Sequence, residues 1–105
     1  MVRAVQDKSD VIERICSSGE QLHKYGIAHI GLFGSFRRDQ GCADSDVDLL
    51  VGFEAGRKSF DNFIEACFYL EDVLGRRVEL VTEESLSPYL KDQILQEVEY
   101  VPLES

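Results

Sequence analysis

A long helical pattern set between two short apolar runs constrains this chain more than any other feature. From Phe60 to Leu74, apolar residues recur at Phe60, Phe63, Ile64, Cys67, Phe68 and Leu74, and Gly75 follows as a stop. Val47 to Phe53 before the helix and Val78 to Thr82 after it read as strands. A helical crossover of that length joins parallel strands of one sheet, right-handed. The two strands therefore begin at the same end of the sheet.

The remaining pattern fits around this unit. Ser9 or Asp10 is the expected cap of a first helix, along which Val11, Ile12, Ile15, Leu22 and Tyr25 fall on one face until Gly26 ends it. His29 to Phe33 reads as a first strand, broken by Gly34-Ser35, where a short helix begins. Residues 39–45 are turn-rich. Ser87-Pro88 predicts an N-cap with proline at the first helical position, and Leu90, Ile94, Leu95 and Val98 predict a buried stripe on that last helix. Tyr100 to Pro102 is extended. The order of elements predicts an α/β (α+β) fold, a small sheet flanked by helices.

Size and charge narrow the function. The 105 residues are enough for one core, so residues 1–105 are expected to form a single domain. The formal net charge of −9 would repel the phosphates through which nucleic acids bind, so no direct nucleic-acid contact is expected. A partner with a basic face, or a metal ion, fits this charge better. No apolar run reaches the ~18 residues of a membrane span. The opening MVRAVQDKSD lacks a signal-peptide core. Cys16, Cys42 and Cys67 are odd in number and widely spaced, which favours a reducing cytosol over a disulfide framework or zinc site. Cys67 reads as core filler.

The chemistry lies in GSFRRDQGCADSDVDLLV, residues 34–51. Asp46 and Asp48 open the second strand two residues apart, so their carboxylates share one face while Val47, Leu49 and Val51 take the other. Aligned carboxylates repel unless a cation lies between them. All-oxygen ligands of this kind suit Mg²⁺ or Mn²⁺, which complete their shell with water and substrate phosphates. Glu79 stands near the start of the third strand, and parallel pairing would bring Asp46, Asp48 and Glu79 to one rim as metal ligands. For Gly34-Ser35 to reach that rim, the first strand must run antiparallel to the second; this expectation comes from the site and not from the pattern. The start of the short helix would then bind phosphate through Gly34 and Ser35, with Arg38 on the same helical face. Arg37 points elsewhere. Such a site performs nucleotidyl transfer, in which two metal ions steady the attack at the α-phosphate and the departure of pyrophosphate. Glu79 would take the proton of the attacking hydroxyl. The GS-x₁₀-DxD spacing arises by chance in a chain of this size with a frequency of about 10⁻³. His23, His29, Tyr89 and Tyr100 read as packing or surface residues.

These residues resemble the signature of the polymerase-β-like nucleotidyltransferase superfamily. With the later RRVELVT strand, the chain is similar to its minimal nucleotidyltransferases, the MNT proteins. The resemblance implies a mixed sheet with the first strand antiparallel, ATP as donor with two Mg²⁺, and Gly34, Ser35, Asp46, Asp48 and Glu79 in the site. It also implies a cytoplasmic antitoxin that adenylylates a HEPN-domain ribonuclease toxin and forms a complex with it. Three positions depart from the family pattern. Arg37 stands where the family often has a small residue, Asp39 stands where it often has glycine and would crowd a phosphate with negative charge, and Glu79 stands where it often has aspartate. Two other functions fit the same residues: an antitoxin that only masks its toxin, and a small-molecule nucleotidyltransferase of the aminoglycoside type.

Overall fold

The computed structural model describes residues 3–41 and 45–103. Along the chain lie α1 (Lys8–Ser17), α2 (Gly19–Lys24), β1 (Ile27–Phe33), α3 (Gly34–Arg37), β2 (Val47–Phe53), α4 (Phe60–Leu74), β3 (Val78–Thr82), a 3₁₀ turn (Glu83–Ser85), α5 (Pro88–Glu97) and β4 (Glu99–Tyr100). The strands form one mixed sheet in the order β3-β2-β1-β4. β2 and β3 are parallel and joined through α4; β1 runs antiparallel to both β2 and β4. No helix among the described residues is long and apolar enough to cross a membrane.

The crossover unit has the bounds expected from the sequence. Ser59 caps α4 by accepting the Asn62 N–H at 3.1 Å, and Gly75 ends it in the left-handed region at φ 69°. Ser87 caps α5 in the same way. The first helix differs. Its cap is Asp7, which accepts the Asp10 N–H at 2.9 Å, while the Asp10 carboxylate accepts the Gln6 N–H at 3.1 Å. The expected single helix is divided at Ser18, whose hydroxyl donates to the Arg14 carbonyl at 2.8 Å. Such back-bonding competes with the helical ladder, and Gly19 after it favours a break. Part of the expected 39–45 loop, including Cys42, lies outside the described residues.

Strand alternation sorts the sheet into two faces. Val47, Leu49 and Val51 join Ile30, Leu32, Val78 and Leu80 in the core beneath α1, α2 and α4. Each fully buried Leu or Ile contributes roughly 2 kcal/mol. The core face of α4 is Ala66, Leu70 and Leu74, with Phe63 and Cys67 partly buried. The stripe expected from the sequence is right at Phe63, Cys67 and Leu74 and wrong at Phe60 and Phe68, which are 78% and 62% exposed. Ala66 and Leu70, which the expected stripe omits, complete the core face.

The other face carries Asp48 and Leu50, and α5 ends against it. Gly31 permits this approach, since any side chain there would collide with Val98 and Tyr100. The stripe expected to be buried on α5 is not: α5 has no buried residue, Leu90 is 46% exposed, and Ile94, Leu95 and Val98 are half-buried. Helical spacing shows that residues share a face, but not how completely a neighbour covers it.

The phase of α4 is directly testable. Leu70→Ala should cost about 3 kcal/mol in urea unfolding, whereas Phe68→Ala should change stability by less than about 0.5 kcal/mol.

Candidate active site

One row across the sheet builds the site. Phe33 at the end of β1 pairs with Asp48 of β2, and Asp48 pairs with Glu79 of β3. The antiparallel course expected of β1 is the one observed. It delivers Gly34, the next residue, beside the acids. Gly34 adopts φ 78°, a region that disfavours side chains. A Cβ there would also overlap the Asp48 carboxylate, lying 2.9 Å from its Cγ and closer still to Oδ2. Glycine is thus required both for the turn and for the approach.

Asp48 and Glu79 face each other from neighbouring strands, close enough for a proton on one carboxyl to be shared with the other. Burial, the hydrogen bond through that proton, and the charges of Glu79 and Asp46 push the Asp48 pKa from an ordinary 3.8 up to about 7, against a lowering by Arg38. A proton here does what a cation would do: it relieves the repulsion between two aligned carboxylates. Among the described residues, no three His, Cys, Asp or Glu side chains are gathered so as to hold a metal ion by themselves. The donor chemistry nevertheless fits Mg²⁺, a hard ion that binds through one or two carboxylates and takes water and phosphate oxygens for the rest. Asp46 acts on Asp48 from just before β2, but the three acids do not form a closed cage.

The cationic side of the site is arranged less simply than the sequence implied. Arg38, expected at a phosphate, is ion-paired with Glu97 of α5. The same glutamate accepts the Gly34 N–H at 3.2 Å through Oε2. Arg37 is no idle surface residue: its Nε donates to the Glu97 carbonyl at 2.9 Å and stands 3.5 Å from the Glu99 carboxylate. Ser35 is half-buried in the first turn of α3. Asp39 takes the left-handed conformation at φ 58°, which a glycine adopts freely and which Asp tolerates better than most residues. Its carboxylate accepts the Lys8 N–H at 3.1 Å, a contact that engages it with the start of α1.

Glu97 is the member of this corner that sequence reading missed. It lies 63 residues from Gly34, and no local spacing in the sequence links the two. The histidines are structural, as expected. His23 Nδ1 lies 3.0 Å from the Ile27 carbonyl, and the exposed His29 ring stands over Gly52 and edge-on to Tyr100.

The profile of the nucleotidyltransferase domain family matches residues 10–101, nearly the whole chain. The chain belongs to that family. Protein adenylyltransferase MntA of Thermococcus cleftensis is 45% identical over 82 residues, covering 78% of this chain and 82% of that protein. A solved structure of a minimal nucleotidyltransferase superposes with a TM-score of 0.78 at 34% identity, covering 89% of this chain and 94% of that one. A solved complex of tri-AMPylated Shewanella oneidensis HEPN toxin with MNT antitoxin contains a chain of the same fold, with a TM-score of 0.62 at 21% identity, covering 92% of this chain and 73% of that one. The nucleotidyltransferase thus has the fold implied by its GS-x₁₀-DxD signature, with Gly34, Asp48 and Glu79 meeting at one rim.

The raised Asp48 pKa has a consequence for stability. The fold binds this proton more tightly than the unfolded chain does, so its contribution is complete below about pH 4 and is lost as pH rises toward 7. Asp48 is partly exposed, so solvent screening reduces the effect to about 1 kcal/mol. Asp48→Asn should therefore raise the thermal midpoint of the metal-free protein by about 5 °C at pH 8 and by much less at pH 5, measured by circular dichroism in EDTA.

Proposed function

We propose that this nucleotidyltransferase transfers AMP from ATP to a side-chain hydroxyl of a partner protein, and that the partner is a HEPN-type toxin which it restrains as a cytoplasmic antitoxin. The observation that carries the reading is the row Phe33–Asp48–Glu79, which sets the Gly34-Ser35 turn against two carboxylates. Family membership supplies the reaction class. The protein substrate follows from the likeness to the Thermococcus adenylyltransferase, and the toxin from the Shewanella complex of the same fold.

In this reading Gly34, Ser35 and Arg38 bind the β- and γ-phosphates, and Asp46, Asp48 and Glu79 hold Mg²⁺. When bound, two Mg²⁺ ions polarise the α-phosphate and neutralise the departing pyrophosphate. The protein's own residues position and discharge. With a cation held between them, Asp48 and Glu79 would both stand as carboxylates. Glu79 then takes the proton of the attacking hydroxyl, as the new O–Pα bond forms and the bond from Pα to the bridging oxygen breaks. The acidic surface, −9 in net charge, favours a partner with a basic face.

The test follows the label of [α-³²P]ATP into a HEPN-domain protein mixed with this chain and Mg²⁺. Asp48→Asn should reduce transfer by a factor of about 10² or more. A loss of under threefold would refute the assignment of Asp48. Absence of transfer by the parent protein, with toxin activity still suppressed, would replace catalysis by masking.

A further inference from the structure

The corner that faces the acids is occupied by a side chain of the protein itself. Glu97 ends α5, and its carboxylate accepts the Gly34 N–H through Oε2 and pairs with Arg38 through Oε1. Its main chain is held by separate contacts. Arg37 donates to the Glu97 carbonyl at 2.9 Å, and Glu99, two residues on, pairs with Leu32 in the sheet while its carboxylate meets Lys8 at 2.7 Å. The Glu97 side chain can therefore turn away without moving the backbone. It is partly exposed, so it would not be left buried and unpaired after doing so.

We propose that Glu97 is a displaceable internal occupant of the phosphate corner, which a nucleotide must expel and which thereby selects ligands by the charge of their phosphate tail. The inference rests on the phosphate-binding role proposed above for Gly34 and Arg38. A single carboxylate offers one negative charge to a guanidinium and one N–H. A triphosphate offers more charge and more oxygens to the same two groups, and so displaces it. Adenosine offers no charge and leaves the Glu97–Arg38 pair intact. If Glu97 stayed in place, its charge would add to those of Asp46, Asp48 and Glu79 in repelling the phosphates; expulsion removes that term. The occupied state lowers apparent affinity in proportion to its population, as any competing conformation does.

Isothermal titration calorimetry tests this with Mg²⁺-ATP, Mg²⁺-tripolyphosphate and adenosine, on the parent protein and on Glu97→Gln and Glu97→Ala. Thermal unfolding serves as a check that both variants fold. Removing the charge should tighten ATP and tripolyphosphate binding by about three- to tenfold and leave adenosine unchanged. The Ala variant should gain at least as much as the Gln variant, because glutamine can still accept the Gly34 N–H. If the parent binds ATP and neither variant binds it more tightly, the inference is overturned alone, and Glu97 is a clamp that positions Arg38 or fastens α5. If none of the three proteins binds ATP or tripolyphosphate, the proposed phosphate site falls and this inference with it.

Discussion

Two carboxylates, Asp48 and Glu79, face each other from adjacent parallel strands, and the architecture around them is what makes that juxtaposition tolerable. The register that pairs them is the one that places Val47, Leu49, Val78 and Leu80 in the core on the opposite face. A slip of one residue would turn every apolar side chain outward, so the hydrophobic pattern that stabilises the fold also holds the acids together. Burial and the neighbouring carboxylates push the Asp48 pKa up to about 7, so that a proton on Asp48 relieves the repulsion below that pH. Two carboxylates held this close cost stability, and the burial beneath α1, α2 and α4 offsets it.

The same row explains why the site joins distant parts of the chain. β1 delivers Gly34 to the acids, and the absence of a side chain at Gly34 lets the turn lie against Asp48. Immediately afterwards, Arg37 and Arg38 divide their work. Arg37 holds the backbone between α5 and β4, and Arg38 holds the side chain that the same segment presents. A four-residue helix thereby fastens the α5–β4 segment to the face that carries Asp48. The arginine at position 37 has a structural task here. The aspartate at 39 preserves the left-handed turn that glycine would make and binds the start of α1. The second face of the sheet is thus closed at one corner by polar contacts beside the half-buried apolar side chains of α5.

Much of this was legible before any coordinates. The strands β2 and β3, the helix α4 with its glycine stop, and the Ser87-Pro88 start of α5 all follow from local chemistry. Periodicity, caps and alternation act over a few residues, and their signals are written in neighbouring positions. The GS-x₁₀-DxD spacing was legible for the same reason. Errors arose where local pattern had to stand for global packing. Phe60 and Phe68 were read as core because they are large and helically spaced, yet α4 turns Ala66 and Leu70 inward. The α5 stripe was read as buried although only one end of that helix meets the sheet closely.

By itself the amino-acid order determined the elements, the parallel crossover and the chemical character of the motif, because each depends on interactions between residues close in sequence. The tertiary structure decided which acids meet: it set Asp48 beside Glu79, kept Asp46 near Asp48 without closing a cage among the described residues, and brought Glu97 across 63 residues to Gly34 and Arg38. Those contacts join groups that no spacing rule connects. Their distances are set by sheet register and by where α5 comes to rest, and both are properties of the whole packed chain.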